Sequence, residues 1–326
     1  MRSAQFKVLA LSVLLAPIVV SGQAPSPNPP PPPLGPEAPF TVAMNTATIE
    51  GAPVYVAANG PQAGGVKVIN GGVRNLANNS AHAATNAETQ MLIAAGPNVR
   101  LLFTVSEGLY RVVAKRSAGI ASVSDLRGKR ITVPRETSAH YFLVRTLASA
   151  GLSESDVTLV DLPRDRMAAG VVAGDADAIS MWEPEAQKAV EALGRDAIVF
   201  QDNALYRELF SLYTTTDILK DARRRRQLVA FVGALLMATD ELKARPQPHF
   251  PLIASTVGQG VDLVSRSWEH HAFPAALPGD LLDVMVQEES WIARNQRRAP
   301  RTRAALAEFI DTTVIAEALS SARPRR

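Results

Sequence analysis

The sequence predicts an α/β fold: mixed, mainly parallel sheets flanked by helices, with a helical C-terminal part. Three observations point there. Short β-type runs alternate with helical segments from Phe40 to Phe200, the pattern of strand–helix–strand units. From Asp125 to Pro184 a strand feeds a Thr/Ser-started helix and a second strand ends on a Trp-Glu-Pro turn. Beyond Asp217 the apolar spacing is helical throughout, with no strand expected between the helices.

The bulk properties set limits. A chain of 326 residues is long enough for two lobes with a substantial core. Apolar residues make up 47% and charged ones 20%, the composition of an ordinary soluble protein. Removing Arg2 and Lys7 with an N-terminal leader lowers the formal charge from +3 to +1, so net charge gives no support to nucleic-acid binding. With no cysteine there is no disulfide, no thiolate nucleophile and no zinc-finger framework. The five histidines show no metal-ligand spacing, and no cofactor motif is present.

Taken in order, residues 1–22 read as an export signal: Arg2 and Lys7 flank the apolar run Val8–Ala16, and Val20-Ser21-Gly22 offers a small-residue cleavage site. The run is short and is broken by Pro17, which argues against a permanent membrane span. Residues 23–39 form a stiff Pro-rich tether. Phe40–Met44 alternates as a strand does, Asn45–Thr48 is a polar turn, and Pro53 suits the first turn of a helix over Val54–Asn59. After a Gly/Pro loop come a strand at Val66–Ile69, an apolar run at Ala81–Ala84 and a helix over Asn86–Ala95 stopped by Gly96. Strands are expected at Val99–Val105, Tyr110–Ala114 and Ile131–Val133, followed by a helix that opens at Thr137-Ser138 and ends at Gly151. A helix over Glu185–Leu193 and strands at Ala197–Phe200 and Leu209–Thr215 complete the α/β part. The tail carries helices at Asp217–Leu242, Leu252–Val257, Val261–His270, Leu281–Arg294 and Thr302–Ile315, and a basic end. The run Leu228–Ala238 is too short for a span and reads as a buried helix.

Several of these stretches carry a family pattern. Asp125–Val133 is similar to a "DLKGKxVAV" run, Thr137–Leu143 to "GSxxHxFL", and Leu147–Leu152 to "LxxxGL". Ala168–Ala178 is similar to "AxxxGxxDA", and Trp182-Glu183-Pro184 to "WEP". Together they resemble the nitrate/sulfonate/taurine (SsuA/TauA-like) substrate-binding proteins of ABC importers. The resemblance implies a two-lobed type II periplasmic-binding-protein-like fold. Lobe one would hold residues 40–108 plus 214–326 and lobe two 109–213, with crossings near Thr104–Tyr110 and Ser211–Thr216. It further implies a non-catalytic, monomeric protein of the periplasm or cell exterior. Such a protein closes on a small organic anion and, in a bacterium, delivers it to an ABC permease. An enzyme on the same scaffold, related to thiamine-pyrimidine synthases, and a secreted relative that has lost transport are the alternatives. The first of these relies on a Cys/His-rich iron motif, and this chain lacks cysteine.

The candidate ligand contacts follow from local chemistry. Thr137, Ser138, Ala139 and His140 open a helix whose free N–H groups and hydroxyls suit a sulfonate, carboxylate or phosphate, although Thr137 or Ser138 equally suits a plain N-cap. Trp182 ends a strand and offers a cleft wall, or ordinary core packing. Glu183 is placed to meet an amino group or to sit in a first helical turn opposite the dipole. Asn45, Thr46, Thr48 and Glu50 follow the first strand, and Thr85 and Asn86 follow the third; open α/β sheets bind ligands at such strand ends. Turn chemistry accounts for the same residues without a ligand.

Overall fold

The first sheet is built from separate parts of the chain, on either side of the second. In the computed structural model, Gly35, residues 38–61 and residues 64–322 are described; the expected export signal, most of the Pro-rich tether and the basic end lie outside these residues. The chain begins with β1 (Thr41–Met44), a 3-10 turn at Ile49–Gly51, α1 (Ala52–Asn59), β2 (Lys67–Asn70), α2 (Arg74–Ala77), β3 (Ala83–Asn86), α3 (Glu88–Ala94) and β4 (Val99–Gly108). It then forms β5 (Arg111–Lys115), β6 (Arg130–Thr132), α4 (Ser138–Ser149), β7 (Thr158–Val160), α5 (Met167–Ala173), β8 (Ala178–Met181), α6 (Glu185–Leu193) and β9 (Ala197–Phe200). It returns through β10 (Glu208–Thr215) to α7 (Thr216–Lys220), α8 (Ala222–Ala244), α9 (Phe250–Val257) and α10 (Val261–Ser267). Strand β11 (His271–Ala272), α11 (Leu281–Asn295), α12 (Arg303–Ala307) and α13 (Thr313–Ala322) complete it.

The strand orders are β11-β4-β10-β3-β1-β2 and β7-β6-β8-β5-β9. In the first sheet β1 pairs in parallel with β2 and β3, and β10 runs antiparallel between β3 and β4. In the second, β6 pairs in parallel with β7 and β8, and β5 runs antiparallel between β8 and β9. Each sheet therefore contains one reversed inner strand that has just arrived from the other sheet. All positions of β10 are buried, which fits its near-continuous apolar run and its inner place. Helices α1, α8 and α9 pack one core against Phe40, Val42, Phe103 and Leu212. A second core under α4 gathers Leu126, Ile131, Phe142, Leu143 and Leu147.

The structure amends several expectations. The second crossing lies at residues 201–207, ahead of Ser211–Thr216, because β10 is already paired to β4 from Glu208 onward. The helix expected over Asp217–Leu242 breaks at Asp221, whose carboxylate accepts from Arg223 N (2.8 Å) and Arg224 N (2.9 Å) and caps α8. The stretch Thr302–Ile315 is two helices, because Leu101 N donates to Phe309 O (2.6 Å) and Asp311 N to Leu101 O (2.9 Å), tying the joint to β4. Strand β11 falls in the stretch read as helical only, as a two-residue edge against Glu107 and Gly108. Gly151, with φ 68°, closes α4 as expected. Among the described residues no helix is long and apolar enough to cross a membrane.

Candidate functional site

Strands β1, β2 and β3 end on one side of a gap, and β8 and the start of α4 end on the other. The gap is a cleft of about 320 Å³, within the usual size for a small-molecule site. On the first-sheet side it is lined by Asn45, Thr48, Glu50, Asn70, Asn86 and Gln90 with Glu208 and Phe210 of β10. On the other it is lined by Tyr110, Thr137, Ser138, Arg164 and Trp182.

The first wall is rich in amides held by the backbone. Asn45 Oδ1 accepts from Ala47 N (3.1 Å), Asn70 Oδ1 from Thr46 N (3.2 Å) and Asn86 Oδ1 from Val73 N (2.6 Å). The carbonyl ends are engaged, and the three NH2 groups make no protein hydrogen bond among the described residues. Gly72 makes room for Asn86: a Cβ there would lie 2.1 Å from Asn86 Oδ1. Glu50 sits in the 3-10 turn after β1, its carbonyl accepting from Ser106 Oγ at 2.7 Å. Glu208 begins β10 opposite Gly108, where a Cβ would come within 2.6 Å of Glu208 Oε2. Burial drives the pKa of Glu50 up to about 8, and the charge of Glu183 adds to it. Burial, then the nearby carboxyls of Glu50 and Glu88, hold Glu208 well above the ordinary carboxylate range.

The second wall is aromatic and hydroxylic. Tyr110 lies at the first crossing, its ring 6.2 Å from Trp182, Phe142 and Tyr206. Its hydroxyl is 2.8 Å from Ser138 Oγ. Burial, followed by Glu208 and Glu50, pushes the Tyr110 pKa far up, so the phenol stays a neutral donor. Arg164 is exposed, and its guanidinium lies 5.3 Å from the Trp182 ring centroid. Among the described residues it is the single cationic side chain lining the cleft.

Of the residues singled out in the sequence, Asn45, Thr48, Glu50, Asn86, Thr137, Ser138 and Trp182 line this cleft together. The others do not. Ala139 is buried, and its carbonyl accepts from Ser180 Oγ at 2.9 Å. His140 points back from the cleft: its Nδ1 accepts from Glu136 N (3.2 Å), its Nε2 meets Glu154 Oε1 (2.7 Å), and its ring packs edge-on against Trp291. Glu183 is buried in an ion pair with Arg111, whose Nε is 2.9 Å from Oε1, and its Oε2 accepts from Gln187 N (3.1 Å) in the first turn of α6. Thr46 serves as donor to Asn70, and Thr85 is fully buried in β3. Thr137 is the N-cap of α4, accepting from His140 N and donating to Pro134 O (2.6 Å). The residues that sequence reasoning missed are Asn70, Gln90, Tyr110, Arg164, Glu208 and Phe210. Asn70 alone carried a local marker, as a polar residue at the end of a strand.

Two sheets that exchange one strand each, with a polar cleft between their strand ends, define the periplasmic-binding-protein fold. Residues 69–248 match the family described as NMT1/THI5 like, and the chain belongs to it. The chain is 30% identical over 135 residues to the taurine-binding periplasmic protein of Escherichia coli K12, a match covering 40% of each. The matched segments span at most about half the length of the curated relatives. Among solved structures, the alkanesulfonate-binding protein SsuA of Xanthomonas axonopodis pv. citri superposes with a TM-score of 0.67 at 20% identity, covering 84% of this chain and 98% of that one. The desulfurization enzyme DSZB superposes with a TM-score of 0.61 at 16% identity, covering 87% and 99%. At these identities the likeness is one of fold.

Proposed function

We propose that this chain is an exported, monomeric solute-binding protein. It takes a small organic solute carrying an anionic group into the cleft and presents it to an ABC permease. One lobe is carried by the six-stranded sheet and the other by the five-stranded sheet, and closure bends the crossings after Gly108 and at residues 201–207. The observation that carries this reading is the cleft itself, formed by strand ends of both sheets, walled by Trp182 and Tyr110 and equipped with amide and hydroxyl donors. The sulfonate-like head would meet Arg164, Ser138 and the donors at the start of α4, which is where unpaired N–H groups and the helix dipole favour negative charge. The taurine- and alkanesulfonate-binding likenesses favour the same class.

Catalysis is not part of the proposal. The chain has no cysteine, Ser138 is bonded to Tyr110, and His140, two residues on, is committed to Glu154. Because an enzyme shares the fold, a turnover screen with added metals belongs beside the binding test. Calorimetry of the folded protein with alkanesulfonates, taurine, nitrate, bicarbonate and pyrimidines is expected to give one-to-one binding for at least one class. No heat from any member, or turnover of one, overturns the reading.

A further inference from the structure

Once ionised, the two carboxyls of the first wall have no role in holding an anion. Glu50 and Glu208 are 2% and 4% exposed, both line the cleft, and Oε2 of each lacks a hydrogen-bond partner. A buried acceptor left without a partner costs free energy, and a buried carboxylate without a counter-charge costs more. Among the described residues the first wall provides no counter-charge: Arg164 stands across the cleft on Trp182, and Arg207 is engaged by Glu107 and Asp280. Arg111 is engaged by Glu183 and Gln187. Elsewhere among the described residues, buried Glu289 is met by Arg298 and Arg301 from its own chain. Glu50 and Glu208 instead face a cavity.

We propose that Glu50 and Glu208 form a subsite for a nitrogen cation, an ammonium or amidinium group, so that the captured solute is dipolar. Its cationic end lies on the first-sheet wall and its anionic end lies toward Arg164 and Ser138. This rests on the reading of the cleft as a solute site and narrows it. A dipolar solute with several N–H donors satisfies both orphan oxygens at once as carboxylates, whereas a sulfonate or nitrate meets them only as an acceptor from the protonated acids.

Capture then moves a proton. With no cation beside them, burial and the acids facing them raise the pKa of Glu50 to about 8 and hold that of Glu208 well above the ordinary carboxylate range. Those facing groups are Glu183, from the turn after β8, and Tyr55 of α1 for Glu50, and Glu50, Glu88 and Glu288 for Glu208, whose pKa the neighbouring Tyr110 phenol pulls down as a hydrogen-bond donor. An arriving cation favours the carboxylate, so one carboxyl gives up its proton to solvent as the ion pair forms. Affinity for a cationic solute therefore rises with pH, by up to about tenfold per unit below the pKa of the carboxyl that ionises. A solute that only accepts hydrogen bonds from protonated carboxyls shows the opposite slope.

Two matched pairs test this on the full folded chain: taurine against isethionate, which replaces ammonium by hydroxyl, and benzamidine against benzamide. Titration calorimetry at about pH 6 and about pH 8, in buffers of different ionisation enthalpy, reads affinity and proton release together. The expected result is at least about tenfold preference for the cationic member of one pair, with release of about one proton on binding. Glu50→Gln and Glu208→Gln, isosteric and free of buried charge, are expected to keep the melting temperature and abolish both preference and release. Equal or tighter binding of the uncharged member, or proton uptake on binding, overturns the subsite and leaves the solute-binding reading intact. If neither pair binds but nitrogen-free sulfonates do, the subsite again fails alone. If nothing binds, both fail.

Discussion

Replacing Arg111 by Met tests whether Glu183 is a structural ion-pair partner, as its geometry says, or a ligand contact, the other role open to a residue after Trp182. Arg111 gives Glu183 two donors and bonds Gln187 Oε1 at 3.0 Å, and the side chains of the pair are 5% and 3% exposed. Removing the guanidinium leaves a buried carboxyl that retains the Gln187 amide as donor. Breaking such a pair from one side costs ~3–5 kcal/mol, because the remaining charge is stranded. With a urea slope of about 2–3 kcal/mol/M this lowers the unfolding midpoint by ~1–2 M. Burial already raises the pKa of Glu183 against the pull of Arg111, and without that pull it rises further. A carboxyl with a raised folded-state pKa contributes stability that is lost as pH rises, so the variant's deficit is larger at alkaline than at acidic pH. Pairing the change with Glu183→Met recovers most of the loss. Urea unfolding at two pH values reads all of this; a loss below about 1 kcal/mol, or a double variant no better than the single one, refutes the reasoning.

Three further expectations can be checked together. Trp182→Ala removes the wall packed on Tyr110 and Arg164 and weakens solute binding by about 10- to 100-fold with a small change in melting temperature, read by calorimetry beside thermal unfolding. Gly108→Ala puts a Cβ 2.6 Å from Glu208 Oε2 and 2.9 Å from Tyr110 Cε1, so it lowers stability and blunts binding; unchanged melting and affinity count against the placement of Glu208. The empty protein loses stability as pH rises from about 5 to about 9, because Glu50, with a pKa near 8, and Glu88, near 7, are protonated in the folded state above the ordinary carboxylate value. Glu50→Gln flattens that limb. On the acid side, His82 and His271 are held neutral down to about 4 and about 3, chiefly by burial, so their contribution is lost as pH falls from about 6.5 through those values. A melting curve that climbs from pH 5 to 9 contradicts the assignment.

Local chemistry made the strand ends legible but not the direction in which each side chain turns. Asn45, Asn86, Ser138 and Trp182 follow strands or open a helix, and those places face the cleft whatever the rest of the fold does. The first turn of α4 shows the limit. Ser138, Ala139 and His140 are consecutive and all buried, yet only Ser138 lines the cleft, since successive helical residues point about a quarter-turn apart. Glu183, for which the sequence leaves a ligand contact and a helix-start role open, shows the same limit: the residue after Trp182 turns inward to Arg111, separated from it by 72 positions. Glu208 was missed because Arg207-Glu208 reads as the solvated start of a strand. Only the pairing of β10 with β4 sets it against Gly108 and the cleft. Arg164 lies in a short polar turn with no marker beyond its charge. The helix breaks at Asp221 and Phe309 likewise come from a cap and a backbone pairing that apolar periodicity does not report.

The central claim is that a small solute occupies the space between the two sheets, against Trp182. Its most direct test is native mass spectrometry of gently purified protein, followed by calorimetric return of the released compound to stripped wild-type and Trp182→Ala protein. The account predicts one retained small molecule per chain, rebinding to wild type and binding at least about tenfold more weakly to the variant. A retained molecule that rebinds both proteins equally well would place the solute elsewhere and contradict the account.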